Sequence, residues 1–581
     1  MLTKTTVSGR EDVQIAEVSV TVEVLVGSKA LELLSDNLFL EKWDSLYHTC
    51  PWATIYQSKE FVINWYRVYH EKNTPILVRA ACGAELVGLL PLCKKEADLI
   101  LGIGEYHVWI SKVWNGNSFI EKALLEIWKE FPGANFQFRF LPGAAPLKWL
   151  ARPQWKKRCV LLTYAQPLLA LDKTYISQEL RKKNRREKIN RLKRLGDLQF
   201  VHVEDKETFS NIFDDIAAQY DFRKGAMYNK SRFFSSPLAK QFLLALFDAG
   251  LVHVTILKVN DAIIASNVGT IGKPWVHLCG MNTHSPPYSK YSPGILHFLM
   301  LCRFLAEEGF KTFDLTPGGD SYKNLLANKQ AVAYELRIAG STKYYLQSVV
   351  TMKVDEQLSN ESSILNRLVR AGILPAFPRN DKQKAFRNLL VYLERLQNAK
   401  RKGPGPLFRE LVPSTGKNKR YTIYKVNAHA VGNNRASVQK DNLHDLLNYK
   451  PTGRDLTKYE FLSDAMRKLE NGSHVYTISD NHSLIFCIWA INQSNSMAPS
   501  IAYSAIPPQS DSIILYDSYC QYQLKDQIES FIEATVVRML SECLISSIYF
   551  AADTRDRILN ERVKKADFVQ IVGKNEIPRK D

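Results

Sequence analysis

The sequence predicts an α/β protein built from repeated domains, and three observations carry that expectation. An order of hairpin, strand, helix and strand occurs three times along the chain. The helix of each series is apolar along one face, and the strand after it stops at turn-forming or polar residues. At 581 residues the chain is too long for a single hydrophobic core.

In chain order, residues 38–69 (LFLEKWDSLYHTCPWATIYQSKEFVINWYRVY) show two helical patterns, separated by Pro51 and a Gln57-Ser58 capping site. Their aromatic residues fit a core better than a binding box. A hairpin pattern covers Ile76 to Leu92 and turns at Gly83; a helix from Ser118 to Glu130 and a strand from Phe136 to Leu141 close the first copy at Pro142-Gly143. The second copy has a hairpin from Val252 to Thr270 turning at Asn260-Asp261, and a strand from Trp275 to Cys279. The third has a hairpin from His474 to Asn492 turning at Asp480-Asn481, a strand near Ile513, a helix from Gln527 to Cys543 and a strand from Ser547 to Ala551.

The most legible stretch is Ser285 to Lys323. Ser292 is placed to cap a helix, Pro293 suits its first position, and an apolar run from Gly294 to Glu308 stops at Gly309. A strand from Phe310 to Leu315 follows, then a turn from Thr316 to Asp320, then Tyr322 and Lys323. A helix opening on Ser-Pro-Gly can bring backbone N–H groups close to an anion such as a pyrophosphate, because Gly294 has no side chain in the way. By itself this tripeptide opens many helices that bind nothing. Asp314, Asp320, Tyr322 and Lys323 strengthen it, since they gather at the carboxyl end of a strand, where open sheets flanked by helices place ligands. His277 and His297 fall on core-side phases of their elements.

Between the first and second copies lies Ile176 to Leu195, ISQELRKKNRREKINRLKRL, read as one helix ended by Gly196. Nine of the fourteen residues from Arg181 to Arg194 are Lys or Arg, and only Ile176, Leu180, Ile189, Leu192 and Leu195 form an apolar stripe. The whole chain carries a net charge of +18, which suits anionic partners. Nine scattered cysteines without a Cys-x-x-Cys pair suit a reducing compartment and no metal site. No run approaches the ~18 apolar residues of a membrane span, and the first twenty residues lack a signal-peptide core, so a cytoplasmic location is expected. No serine hydrolase elbow, zinc ligand set or Walker loop is present.

Three pieces carry a family resemblance: CPWATIYQS from Cys50, ELRKKNRREKINRLKRLGDLQF from Glu179, and YSPGILHFLMLCRFLAEEGFKTFDLTPGGDSYK from Tyr291. Over residues 37–345 the chain resembles the CelD/BcsL-type acetyltransferases of the GNAT superfamily, which are associated with cellulose and exopolysaccharide synthesis. The strand at Phe313-Asp314 followed by an aromatic-Lys pair is similar, more distantly, to the Fem-type aminoacyl transferases. The resemblance implies tandem GNAT-like domains, a degenerate N-terminal one over 1–170 and an acyltransferase domain over 171–354; residues 355–406 read as a helical linker, and the third copy, over 407–581, lies outside the resemblance and reads from its pattern as a degenerate GNAT-like domain. The resemblance also implies an acetyl-CoA or other acyl-CoA donor, and an amine or hydroxyl acceptor such as a sugar. The GNAT pyrophosphate loop, Arg/Gln-x-x-Gly-x-Gly/Ala, is absent, and Tyr291-Ser-Pro-Gly294 stands in its place.

Acyl transfer needs a base, donors to a developing oxyanion and an acid for the leaving thiolate. The expected groups are Asp314 or Asp320 as base or orienter, Lys323 for negative charge, and Tyr322 or Tyr291 as acid. Tyr291, Ser292, Pro293, Gly294 and Ile295 are the expected donor site, and Arg181, Lys182, Arg185 and Arg186 the expected anion or acceptor surface. Against each stands a plainer role: a turn cap for Asp314, a solvated Lys323, a packed Tyr291 and a solvated basic helix. Two other functions fit the same features, a Fem-like transfer from aminoacyl-tRNA and a non-catalytic nucleic-acid binder.

Overall fold

The computed structural model describes residues 19–96, 98–272, 275–318, 321–359, 421–426, 437–451, 456–480, 483–492, 512–542, 547–554, 556–565 and 569–572. The chain forms two compact units, 1–166 with 331–353, and 167–330 with 354–581. Most of the expected 355–406 linker lies outside the described residues.

The first unit opens with β1 (Thr21–Val26), α1 (Ser28–Leu33), α2 (Asn37–Thr49) and α3 (Lys59–Tyr69). Ser58 caps α3 by accepting from the Phe61 N–H, at 3.2 Å. The hairpin β2 (Thr74–Cys82) and β3 (Glu85–Glu96) turns at Gly83, whose φ of 58° is the left-handed conformation that such a turn requires. β4 (Leu99–Gly102) and the short β5 (Ile110–Ser111) each pair with β3, α4 (Gly116–Glu130) crosses over, and β6 (Asn135–Pro142) returns parallel to β4. α5 (Pro153–Lys156) leads into β7 (Cys159–Ala170). The core of the unit is aromatic, with Trp43, Trp109, Trp149 and Trp155 buried.

In the second unit α6 (Lys173–Arg181), α7 (Lys183–Lys193) and β8 (Leu198–Val203) precede two helices, α8 (Lys206–Tyr228) and α9 (Pro237–Asp248). β9 (Val252–Val259), β10 (Ala262–Ile271) and β11 (Trp275–His284) are antiparallel neighbours; α10 (Pro293–Glu307) crosses over, and β12 (Thr312–Asp314) lies parallel to β11. On its other side β12 pairs with Leu168–Ala170 of β7. α11 (Ser321–Leu326) follows. β13 (Lys329–Ile338) and α12 (Thr342–Ser359) come next, and β13 pairs with β6, which places residues 331–353 in the first unit.

The rest of the second unit comprises β14 (Tyr421–Val426), β15 (Gln439–Lys440), α13 (Leu443–Leu447), α14 (Lys458–Glu470), β16 (His474–Asp480), β17 (Ser483–Asn492), β18 (Ser512–Cys520), α15 (Ile528–Glu542), β19 (Ser547–Asp553), α16 (Arg557–Lys565) and β20 (Val569–Val572). β17 and β18 are antiparallel, and β18 and β19 are parallel with α15 between them. The expected triple recurrence is therefore present as mixed sheets flanked by helices. This C-terminal segment packs on α8: Phe222 and Ala226 share a core with Leu446, Leu462 and Leu469. Gly225 permits the approach, because a Cβ there would stand 2.8 Å from Leu462 Cδ1, and Ser463 Oγ donates to Ala226 O at 2.6 Å.

Two local expectations are corrected. The basic stretch is two helices, since Lys182 adopts an extended conformation (φ −55°, ψ 136°), and Arg185 bridges the break by donating to the Glu179 carbonyl. Leu195, expected in the apolar stripe, is 48% exposed, while Ile176 and Leu192 are fully buried. No helix among the described residues is long and apolar enough to cross a membrane. Among them, too, no group of three or more His, Cys, Asp or Glu side chains is placed to hold a metal ion.

Candidate functional site

The site follows from how β11 and β12 part. Their pairing ends at His277 opposite Asp314, yet β11 continues to His284. A bulge between Val268 and Thr270 of β10 bends the sheet where β11 passes Gly280 (φ 118°). A Cβ at Gly280 would lie 2.2 Å from Val268 O, so this close passage requires glycine. The strands open into a wedge at the carboxyl end of β12.

At its base Asp314 is fully buried. Its carboxylate accepts from His277 Nδ1–H at 2.8 Å and from the Thr316 N–H at 2.9 Å, the latter fixing Thr316 in a left-handed conformation (φ 59°). Lys323 is not solvated: it is 6% exposed, and Nζ donates to Thr316 O at 3.3 Å and Thr316 Oγ1 at 3.1 Å. Asn282 of β11 donates to the Tyr322 hydroxyl at 3.4 Å. Asp314, Tyr322 and Lys323 thus come together with His277, Thr316 and Asn282. Asp320 lies outside the described residues.

The start of α10 differs from the expected backbone cradle. Ser292 does not cap; it adopts φ 53° and its N–H goes to Ser289 O. Pro293 has no N–H, and the Ile295 N–H is bonded to Ser292 O at 3.1 Å, so among these residues the open approach is at Gly294. A side chain supplies the positive charge instead: Lys188 Nζ donates to Ser292 Oγ at 2.7 Å. His284 packs against Gly294, with Nδ1 3.0 Å from the position of a Cβ there, and burial, followed by the Arg223 charge, pushes its pKa down to about 3. Tyr291 is half-buried against Leu192, Leu257 and Leu296, on the α7 side of the helix.

The four basic residues separate. Arg181, Lys182 and Arg186 are exposed, whereas Arg185 is half-buried and forms an ion pair with Glu179, which also pairs with Lys182. These two cations draw the Glu179 carboxyl below its usual range against the opposing effect of burial. Arg185 is therefore a tie between α6 and α7.

The sequence did not single out Lys188, Thr316 or Asn282. Lys188 was one basic residue among nine, and nothing local marks it. His277 and Asp314 are direct partners in the register of the parallel pair β11 and β12, a juxtaposition that only the pairing of the two strands reveals.

Residues 180–324, from the end of α6 past Lys323, match the family model described as acetyltransferase (GNAT) domain. No curated protein matches the sequence. Among solved structures the chain is similar to FemX, with a TM-score of 0.39 and 10% identity, over 53% of this chain and 98% of that one. It is similar to a tandem GNAT protein from the clavulanic acid biosynthesis pathway, with a TM-score of 0.34 and 11% identity, over 55% and 99%. It is also similar to L-PGS from Bacillus licheniformis, with a TM-score of 0.33 and 13% identity, over 46% and 86%.

Proposed function

We propose that the middle part of the chain, 171–354, transfers an acyl group from acyl-CoA to an amine or hydroxyl acceptor. The observation that supports this most is that one GNAT match, 180–324, takes in Lys188, the start of α10 and the Asp314–Lys323 cluster together. In this reading the donor's phosphates lie at Gly294 and Lys188, where the helix dipole and an ammonium both favour negative charge.

The acceptor's nitrogen or oxygen attacks the thioester carbonyl carbon, its bond to that carbon forms, and the carbon–sulfur bond breaks. His277, with Nδ1–H fixed by Asp314, takes the acceptor's proton through Nε2; Asp314 orients the ring. Lys323 stabilises the charge developing on the carbonyl oxygen, and Tyr322 returns a proton to the departing sulfur. The CelD/BcsL-type resemblance supports an acceptor of the exopolysaccharide or cell-envelope class. The first and third copies, in this reading, have lost catalysis.

The test is calorimetric titration of the full chain with acetyl-CoA, followed by thiol release in the presence of candidate amines and sugars. Saturable binding that is weakened at least tenfold by Lys188→Met is expected. Absence of binding to acetyl-CoA and to longer acyl-CoAs would sink the donor assignment.

A further inference from the structure

The C-terminal copy holds a cavity of about 510 Å³ to which the acyl-transfer reading gives no role. Its place follows from the strands. β18 and β19 pair in parallel as far as Tyr516 and Ala551. Beyond that point β18 stays with β17, Tyr519 against Cys487 and Cys520 against Phe486, while β19 stays with β14, Asp553 against Tyr421. The first residue past the fork, Asp517, adopts a left-handed conformation (φ 47°). The cavity occupies this fork: Asp517 and Ser518 line one branch, Asp553 and Tyr421 the other, with Lys525 from the turn Tyr522–Gln527 before α15 and Asp556 from the start of α16.

Small-molecule pockets run from about 300 to 1,000 Å³, and the carboxyl ends of parting parallel strands are where sheets flanked by helices place ligands. Both conditions are met here. The lining decides which ligand fits. Lys468 Nζ lies 2.9 Å from Asp517 Oδ2, and the Tyr421 hydroxyl donates to Asp517 Oδ1 at 3.3 Å. Tyr421 is the direct register partner of Asp553, so the phenol stands beside both carboxylates; burial, followed by those charges, raises its pKa and keeps it a neutral donor. Asp556 caps α16 by accepting from the Leu559 N–H at 3.0 Å. Among the described residues, three carboxylates at the cavity are set against two ammonium groups, Lys468 behind Asp517 and Lys525 in the lining, which leaves one negative charge. Ser518 and Tyr421 add hydroxyl groups, and Ala551 and Leu559 an apolar wall.

We propose that this cavity binds a small hydroxylated amine in its ammonium form, an amino sugar or an amino alcohol. The ammonium donates to Asp553, and Asp556 and Ser518 share hydrogen bonds with the hydroxyls of the ligand. One positive charge balances the charge that the lysines leave over. A phosphate or carboxylate would add to it, and a wholly apolar ligand would take water from the carboxylates and return no hydrogen bond. The proposal does not rest on the acyl-transfer reading, because the cavity belongs to a copy to which that reading assigns no chemistry.

The test is calorimetry and thermal shift on the full chain, without acyl donor, using glucosamine, ethanolamine and serinol at millimolar concentration. N-acetylglucosamine, ethylene glycol and glycerol are the uncharged counterparts, and inorganic phosphate and acetate the anionic ones. At least one amine is expected to bind saturably, to raise the Tm by a few degrees, and to bind at least tenfold tighter than its uncharged counterpart. Asp553→Asn should weaken that binding at least tenfold. Lys525→Met should preserve or tighten it, because a competing ammonium is removed, whereas an anion site would respond in the opposite sense. If Asp553→Asn proves poorly folded by its unliganded Tm, Ser518→Ala makes the same comparison, with a several-fold weakening expected. Absence of amine binding in the parent overturns the proposal. So does undiminished binding in Asp553→Asn and Ser518→Ala, loss of binding in Lys525→Met, or equal stabilisation by Mg²⁺ or Ca²⁺, which would make the cavity a general cation sink. Thiol release from acetyl-CoA, measured separately, reports on the transfer reading whichever way this result falls.

Discussion

The middle and C-terminal parts of the second unit use one topology and arrive at opposite electrostatics. In both, two strands run parallel and then part: β11 and β12 after His277 and Asp314, β18 and β19 after Tyr516 and Ala551. At the parting point the middle copy has a buried carboxylate held by a histidine, whereas the C-terminal copy has Ala551. Asp517, the residue after the last paired position of β18, is bound to Lys468 at 2.9 Å and accepts from Tyr421 at 3.3 Å. Lys468 also holds Asp464 at 2.9 Å and lies over the Trp489 ring, so its charge serves the domain's own packing. α10 starts with no acidic residue in its first turn and Lys188 beside it, while α15 starts with Glu529. A cavity of about 510 Å³ in the C-terminal copy is lined by Asp517, Asp553 and Asp556 against a single lysine, Lys525. The two wedges share a fold and differ in the charge of the side chains around them.

The largest expected contrast between the two is acid sensitivity. His253 and His297 of the middle copy are 3% and 1% exposed, and burial pushes the pKa of each down to about 3, with neighbouring histidines adding to the shift at His253. His444 and His474 of the C-terminal copy are exposed. A folded pKa below the unfolded value means that the unfolded chain binds more protons, so stability is lost as pH falls from about 6.5 towards 3 and is unaffected above that range. Each histidine then contributes about 2 kcal/mol of destabilisation between pH 7 and pH 5. Hydrogen exchange should show β9–β11 losing protection before β16–β18 as pH is lowered. Simultaneous loss would mean that the two copies open as one.

Next in size is a paired substitution. Lys323→Met should lower turnover by about two orders of magnitude while changing Tm little, because Met keeps the length and apolar stem of a side chain that is already buried. Lys525→Met at the other wedge should leave turnover unchanged. Equal losses in both would place chemistry in both copies. A smaller effect is expected from Lys188→Met, roughly a tenfold rise in KM for the donor at constant kcat, the size of one charge-assisted hydrogen bond. A fall in kcat with KM unchanged would move Lys188 from donor binding to the reacting centre.

The recurring α/β order, both middle and C-terminal hairpins and the gathering of Asp314, Tyr322 and Lys323 were legible, since hydrophobic periodicity and Gly/Pro punctuation are local signals. α8 was not. Phe209, Phe213, Phe222 and Ala226 on it are buried along with Gln219 and Asp221, because one side of the helix meets the sheet and the other meets α13 and α14. A helix buried on two sides loses the one-sided stripe by which it would be recognised. Asp221 adds to this: it is a buried carboxylate mid-helix, accepting from the N–H groups of Arg232, Phe233 and Phe234, and burial raises its pKa despite them. Lys188 was hidden by its company, and Ser292 misled because a Ser before Pro-Gly reads as a cap. It adopts a left-handed conformation, and its side chain is bonded to Lys188 of α7, about a hundred residues earlier in the chain.

The smallest effect concerns the exposed cations of α6 and α7, and it separates an acyl-CoA enzyme from one that grips tRNA or another nucleic acid there. Changing all four of Arg181, Lys182, Arg185 and Arg186 would confuse two roles, because Arg185 holds the break between the helices through Glu179. The informative variant is Arg181, Lys182 and Arg186 to Gln, which leaves that tie and the buried Ile176 and Leu192 in place. On the acyl-CoA reading, kcat/KM with a neutral acceptor changes less than threefold, since exposed charges are screened within about 10 Å at ordinary salt. Binding of bulk tRNA, followed by fluorescence anisotropy across a salt series, should be weak in the parent, with a log–log slope shallower by about 2 to 3 in the variant. No aromatic side chains alternate with these cations to stack unpaired bases, so nothing beyond backbone attraction is available on this face. Submicromolar tRNA affinity near physiological salt that the triple change abolishes would decide instead for a Fem-like transfer.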